Sequence, residues 1–127
     1  MAAATTVFGV LAACSDETIS GYADPDATYV LSELGGAAFP ARATIAFPAK
    51  GKVTGSAPCN TFSATQSVPY PWVDIGPVAA TRRACPDLDA ERRFFEALET
   101  MVFAEVQGPV LILSSEDGVE MVFRAAD

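Results

Sequence analysis

Three cysteines and no histidine limit the ways in which this chain of 127 residues can be held together. Without histidine, Cys14, Cys59 and Cys85 cannot build a four-ligand zinc site, and the sequence contains no CxxC pair. If Cys14 has a separate role, one pair remains. A disulfide between Cys59 and Cys85 would close a loop of about 27 residues and stabilise the fold by roughly 3–4 kcal/mol. Two buried free thiols are the alternative.

A redox-active cysteine pair is disfavoured by the surroundings of the thiols. No basic residue and no helix start lies beside Cys59 to activate its thiol. The exclusion is weaker for Cys85, because Arg82 and Arg83 precede it and a predicted helix follows it. We therefore interpret the pair as structural.

The segment before Cys14 resembles a bacterial export signal. Residues 5–13 read TTVFGVLAA, an apolar stretch of signal-peptide length that is too short to span a bilayer. Residues 11–14, Leu-Ala-Ala-Cys, resemble the lipobox, in which small residues admit the peptidase and the cysteine thiol is diacylated. We predict a signal and flexible tether over residues 1–27, with Cys14 as the lipid attachment site. Residues 1–6 contain no Lys or Arg, so either the true start lies upstream or the match is a chance one in an Ala-rich tail.

The charge balance argues against a nucleic-acid partner. Sixteen acidic and eight basic residues give a net charge of −8, which repels phosphate backbones. The basic residues come singly or in pairs and form no cluster. Half of the residues are apolar, which excludes a disordered polar chain.

From residue 28 onward the chain is a series of short β-like runs separated by glycine and proline. The predicted runs are 29–34, 43–47, 52–57, 61–67, 72–75, 77–81, 103–107, 110–115 and 119–124. From these nine short runs we expect about eight strands in roughly 100 residues. We expect a mainly β (α+β) domain over residues 28–125, a small antiparallel barrel with one helix packed on it.

One helix is predicted over residues 89–101. An apolar stripe runs through Phe94, Phe95, Leu98, Met101 and Val102. The charged residues predicted to cover the other face are Glu91, Arg92, Arg93, Glu96 and Glu99. The acidic residues at its start, Asp87, Asp89 and Glu91, suggest either paired carboxylates for acid–base chemistry or helix capping, and we favour capping.

Two cysteine motifs carry a family resemblance. Residues 53–64 read VTGSAPCNTFSA, and residues 81–86 read TRRACP and lead into the predicted helix. Residues 29–31, Tyr-Val-Leu, precede them, and residues 111–113, Leu-Ile-Leu, follow. Together these elements resemble the META domain family of HslJ-like envelope lipoproteins, over about residues 28–125. Tyr29 stands in place of a Trp, and Pro58 and Ala64 each stand in place of a Gly.

The resemblance implies a small β-barrel-like fold and a location in the bacterial cell envelope. More weakly, it implies an association with heat or antibiotic stress. It also supports the bridge between Cys59 and Cys85, because each cysteine lies inside a family motif. The family has no agreed enzymatic activity or ligand, so it supplies no catalytic residues.

Five residues are candidates for interaction: Asn60, Tyr70, Trp72, Arg82 and Arg83. Asn60 could bind a ligand, but we favour a role in holding a turn. The two arginines could meet an anionic partner, but we favour a solvated face or pairing with nearby acidic residues. The aromatic pair between prolines could form an exposed recognition loop. For Trp72 we favour a place in the core.

Two functional classes follow. We predict a non-catalytic, monomeric envelope lipoprotein that contacts an envelope protein or a cell-wall component, lipid-anchored on the periplasmic side or secreted if the lipobox is not used. The alternative is a small-ligand-binding barrel of the lipocalin type, although eight short strands usually give an interior filled by side chains. We expect no cofactor, metal or enzymatic activity, because the sequence contains no Ser-His-Asp set, P-loop, GxGxxG or HExxH motif.

Overall fold

The computed structural model describes residues 16–126, which form nine strands and one α-helix. The strands are β1 (Tyr29–Leu34), β2 (Ala37–Ala38), β3 (Thr44–Ala46), β4 (Lys52–Ser56), β5 (Thr61–Thr65), β6 (Ala79–Ala80), β7 (Met101–Gln107), β8 (Val110–Ser115) and β9 (Glu120–Ala125). The helix α1 (Leu88–Thr100) lies between β6 and β7.

All strands belong to one antiparallel sheet in the order β6-β5-β4-β3-β1-β9-β8-β7, and β2 pairs with β1. The sheet curls into a half-barrel, so the predicted mainly β (α+β) class with one packed helix is confirmed. The C-terminal strand β9 lies beside the N-terminal strand β1, and this pairing places the two ends of the domain at the middle of the sheet.

The segment 66–78 closes the opening between the two ends of the sheet. At one end, the backbone N–H of Val73 donates to the carbonyl of Val102 at 3.0 Å, and Ala104 donates to Pro71 at 2.7 Å. Near the other end, Gly76 donates to Thr65, the last residue of β5, at 2.8 Å. Residues 72–75, which the sequence predicts as a strand, form no regular strand and contribute one isolated bridge, between Trp72 and Phe103.

The interior of the half-barrel is filled by alternate side chains of the strands. In β1, Tyr29 and Leu31 point inward, and a bulge before Glu33 then shifts the register against β9. The largest side chains with less than 2% exposure include Tyr29 and Phe123 from the strands, Phe47 just after β3 and Phe94 from the helix. This alternation follows from the pleat, which sends successive side chains to opposite faces of the sheet.

The helix packs its apolar stripe against β5. Phe94 and Leu98 are fully buried, and the ring of Phe62 lies 5.6 Å from Phe94 and 5.4 Å from Phe95. The predicted stripe is therefore confirmed for Phe94 and Leu98. Met101, predicted as its last turn, is buried as the first residue of β7.

A close contact across β4 and β5 requires glycine at position 55. Gly55 lies opposite Phe62, and a Cβ at this position would stand 2.2 Å from the carbonyl oxygen of Thr44 and 2.6 Å from the Phe62 ring. The ring of Phe62 thus covers the glycine, and no larger residue fits without displacement of β3 or the ring.

Residues 16–27, which the sequence assigns to the tether, pack against the domain. A single turn of 3₁₀ helix, Ile19–Gly21, buries Ile19 in the core, and Ala23 follows it there. Asp16 accepts hydrogen bonds from the N–H of Thr18 at 2.8 Å and from the hydroxyl of Ser20. Burial raises the pKa of Asp16, but the hydrogen bonds from Ser20 and Thr18 outweigh it, so this pKa lies below its ordinary value. The predicted signal, residues 1–13, and Cys14 lie outside the described residues.

Candidate functional site

Cys59 and Cys85 form a disulfide with their Cα atoms 5.6 Å apart. Cys59 follows β4, and Cys85 lies just before α1, so the bridge ties the sheet to the start of the helix. The predicted disulfide is therefore confirmed, and neither cysteine is a free thiol.

Asn60 is buried beside the disulfide and uses both ends of its amide. Its Nδ2 donates to the carbonyl of Arg83 at 3.0 Å and to Glu91 Oε2 at 2.8 Å. Its Oδ1 accepts from the hydroxyl of Thr81 at 2.9 Å and from the N–H of Arg83 at 2.5 Å. We call these four residues, Asn60, Thr81, Arg83 and Glu91, the Asn60 clamp. The Asn60 side chain thus joins the connection between β4 and β5 to the segment that precedes the helix. This link spans more of the chain than a local turn would.

Glu91, a member of the Asn60 clamp, does not lie where the sequence predicts. It is 6% exposed, and its Oε1 accepts the N–H of Cys59 at 3.0 Å while its Oε2 faces Asn60. The burial of Glu91 could be predicted from its spacing. Position 91 lies three residues before Phe94 and seven before Leu98, so the three side chains share one helix face. The prediction that Glu91 lies on the helix face opposite the apolar stripe is therefore wrong, and its carboxylate binds the backbone of the disulfide loop.

The expected capping of α1 by aspartate is also absent. Asp87 occupies the N-cap position, but its side chain makes no capping hydrogen bond. Asp89 instead forms an ion pair with Arg92, which is the only ion pair among residues 16–126. The first turn of the helix is held by the buried Glu91 and the nearby disulfide.

The two candidate arginines expose their side chains. Arg82 and Arg83 are exposed, and neither forms an ion pair with Asp87 or Asp89 within the described chain. Arg83 contributes to the clamp through its backbone alone. Of the two favoured roles, the structure shows the solvated face.

Four aromatic side chains form two ring pairs along the closing segment, one around Tyr70 and one around Trp72. Tyr22 stacks on Tyr70 with ring centroids 4.3 Å apart, and Trp72 meets Phe103 edge-to-face at 5.4 Å. Tyr22 and Trp72 are each more than half exposed, at 55% and 56%. We call these four residues the aromatic cluster. The core position favoured for Trp72 is therefore wrong, and its surface position is the one that its flanking prolines indicated.

The Tyr70 hydroxyl binds the backbone of the sheet and so helps to hold the fold together. It accepts the backbone N–H of Val106 on the outer edge of β7 at 3.0 Å, while the backbone N–H of Tyr70 donates to the carbonyl of Glu17 at 2.7 Å. One residue thus links the N-terminal turn to the edge of the sheet. No sequence pattern indicated this link, because Glu17 and Val106 are far apart in the chain.

Two surface depressions border the sites. One of about 240 Å³ lies beside the clamp and is lined in part by Asn60, Thr81 and Arg83. A larger one of about 520 Å³ runs along the helix past Leu88 and Phe95. Within residues 16–126, no three of the His, Cys, Asp and Glu side chains gather to hold a metal ion. In the same range no helix is long and apolar enough to cross a membrane.

Comparisons with known proteins agree with this architecture. A family model described as META domain matches residues 23–127. Two solved NMR structures, one from Burkholderia xenovorans, share 20% identity with the chain at a TM-score of 0.62. They cover 80% and 83% of this chain and 82% and 97% of their own. A crystal structure of a DUF4847 family protein from Bacteroides vulgatus is 26% identical, with a TM-score of 0.56, over 65% of this chain and 57% of that one. No curated protein matches the chain.

Proposed function

Because the chain belongs to the META domain family, we propose that it is a non-catalytic module of the bacterial cell envelope. It is anchored by a lipid on Cys14 and acts through contacts with an envelope protein or the cell wall. The family resemblance links this role, more weakly, to heat or antibiotic stress.

The observation that carries the proposal is the saturation of the buried polar site. Both carboxylate oxygens of Glu91 accept hydrogen bonds from within the domain, and both polar atoms of Asn60 are engaged. In the described part of the chain, no fully buried side-chain nitrogen or oxygen lacks a partner. Catalytic sites keep a general acid or base within reach of a substrate, and a carboxylate committed to a backbone N–H and an amide serves stability instead.

The carrier alternative is disfavoured by the filled interior. Tyr29, Phe47, Phe94 and Phe123 are fully buried in one core cluster, whereas a ligand-carrying barrel keeps its interior open. Apolar contact surface lies outside the barrel, in the aromatic cluster. A module that works through its surface fits this distribution better than one that encloses a small molecule.

The envelope location rests on the disulfide and on the position of Cys14. Disulfides persist in oxidising compartments, and Cys59–Cys85 is the pair that remains once Cys14 is assigned to lipid. Mass spectrometry of the protein purified from its native membrane tests the anchor. We expect a diacylglyceryl group on Cys14 as the new N-terminus; an intact Met1 terminus would contradict the proposal.

The partner is tested by crosslinking in the native envelope. A photo-crosslinking residue is placed at the exposed positions Leu88 or Arg92, and the Cys14→Ala variant, which lacks the anchor, is the matched control. We expect adducts to one envelope protein or to peptidoglycan fragments that vanish in the control. A co-purifying small molecule found by native mass spectrometry would instead favour the carrier.

A further inference from the structure

The chain enters the fold directly beside the aromatic cluster. Asp16 is the first described residue, and Glu17 accepts the backbone N–H of Tyr70 at 2.7 Å. Five residues on from Glu17, Tyr22 stacks on Tyr70. The point at which the chain leaves the domain towards its N-terminus is therefore fixed against the cluster.

The reach of the segment before Asp16 is short. Cys14 lies two residues before Asp16, and two residues of fully extended chain span at most about 7 Å. A lipid attached to the Cys14 thiol is therefore joined to the chain within about 7 Å of Asp16. The domain cannot stand away from the membrane on such a connection.

We propose that the aromatic cluster, Tyr22, Tyr70, Trp72 and Phe103, is the surface on which the domain rests in the membrane interface beside its lipid anchor. The inference rests on the proposed attachment of a lipid to Cys14. Exposed Tyr and Trp side chains prefer the level of the lipid headgroups, because their rings are apolar and their polar groups remain hydrated. Tyr22 and Trp72 meet this condition, whereas Tyr70 supports the Tyr22 ring and binds Val106 through its hydroxyl. Tyr22 and Trp72 are each more than half exposed here, and Phe103 is 38% exposed.

The charges around the cluster define which lipid surface it fits. Glu17, Asp74 and Glu105 are exposed and lie within two residues of a cluster member or bond to one. Anionic headgroups attract clustered Lys and Arg. The carboxylates of these three residues instead repel anionic headgroups. One basic group lies near this end of the chain: the charge of Lys50 acts on Asp16 and lowers the pKa of its carboxyl. The cluster therefore suits zwitterionic headgroups such as phosphatidylethanolamine.

The fluorescence of Trp72 tests the orientation directly, because the chain contains one tryptophan. Protein purified from its native membrane is reconstituted into phosphatidylethanolamine-rich vesicles with or without lipids brominated near the carbonyl. We expect Trp72 emission to shift to shorter wavelength and to lose about half of its intensity with the brominated lipid, as for a ring at headgroup depth. Raising the phosphatidylglycerol fraction should weaken both changes.

A matched variant moves the fluorophore to the other end of the helix. Trp72→Phe combined with Leu88→Trp changes two exposed side chains, so the core is untouched. Leu88 lies about 20 Å along the helix axis from Met101, where the chain enters β7 towards Phe103. We expect this tryptophan to remain unquenched.

The outcomes separate the orientation from the anchor. Diacylated Cys14 with an unquenched Trp72 overturns the orientation alone. Quenching of both tryptophans alike overturns it too, because it shows no preferred face. Shielding of Trp72 only in vesicles that retain native membrane proteins assigns the cluster to a protein partner and overturns the lipid contact. A mass spectrum with unmodified Cys14 overturns the proposed anchor, and the orientation with it.

Discussion

Oε2 of Glu91 lies 2.8 Å from Nδ2 of Asn60, so the first turns of the helix are tied to the residue that follows Cys59. Oε1 of the same carboxylate accepts the N–H of Cys59 at 3.0 Å. The disulfide and the carboxylate therefore join the same two segments by different means. The disulfide restricts the conformations open to the unfolded chain, whereas the hydrogen bonds of Glu91 orient the two segments in the folded chain.

Glu91→Gln should destabilise the domain by about 1–3 kcal/mol, because a glutamine amide has one acceptor for two donors and leaves one of them unpaired. Urea denaturation followed by circular dichroism measures the free energy of unfolding. Glu96→Gln, on the exposed face of the same helix, removes the same charge and is the control. Equal effects at the two positions would contradict a special role for Glu91.

Gly55→Ala should destabilise the domain by about 2–4 kcal/mol, because its Cβ would collide with the Thr44 carbonyl and the Phe62 ring. Gly108→Ala is the comparison. Gly108 has a φ of +56° but open space around it, so only the backbone cost of about 1 kcal/mol is expected. Thermal unfolding of the two variants distinguishes crowding from backbone conformation, and a smaller loss at position 55 would rule out the contact.

Removal of the disulfide should lower the free energy of unfolding by roughly 3–4 kcal/mol, as expected for the loop that it closes. The double variant Cys59→Ala/Cys85→Ala is compared with the parent by urea denaturation. Thiol titration of the denatured, unreduced parent should find one free thiol or none. Three free thiols would show that the bridge does not form.

The N-terminal turn should weaken in acid. The pKa of Asp16 is lowered in the folded state, so its stabilising contribution is complete above about pH 4 and is lost as the pH falls through the folded-state pKa. The difference in unfolding free energy between the parent and Asp16→Asn should therefore be largest near neutral pH and shrink towards pH 3. The exposed Asp26→Asn variant accounts for the loss of one negative charge, and a difference that grows in acid would contradict the assignment.

The elements with clear periodicity could be predicted from the sequence. Alternation and flanking glycines give both ends of β1 and β8, and the stripe through Phe94 and Leu98 gives the helix to within one residue. Strand β2 escaped prediction, because two alanines carry no alternation and are paired by the turn at Gly35 and Gly36.

The candidate site was predicted only in part, because much of it depends on long-range contacts. The cysteine motifs indicate the bridge and place Asn60 beside it. The partner of Asn60 is 31 positions away, and charge alone assigned Glu91 to solvent although its spacing placed it on the buried face. Trp72 shows the converse error, since its size suggested the core while its prolines held it at the surface.

The closing segment also determines how neighbouring molecules can meet. Pro71 and Val73 bond along the outer edge of β7, and the Tyr70 hydroxyl accepts the N–H of Val106. As a result β7, the longer of the two terminal strands, has no open row of amides to offer another chain. The opposite terminal strand, β6, has only two residues. Open strand edges are templates for intermolecular pairing and fibril growth. A lipid on Cys14 would crowd copies of the domain in the plane of a membrane, and this edge protection would then keep close neighbours from polymerising.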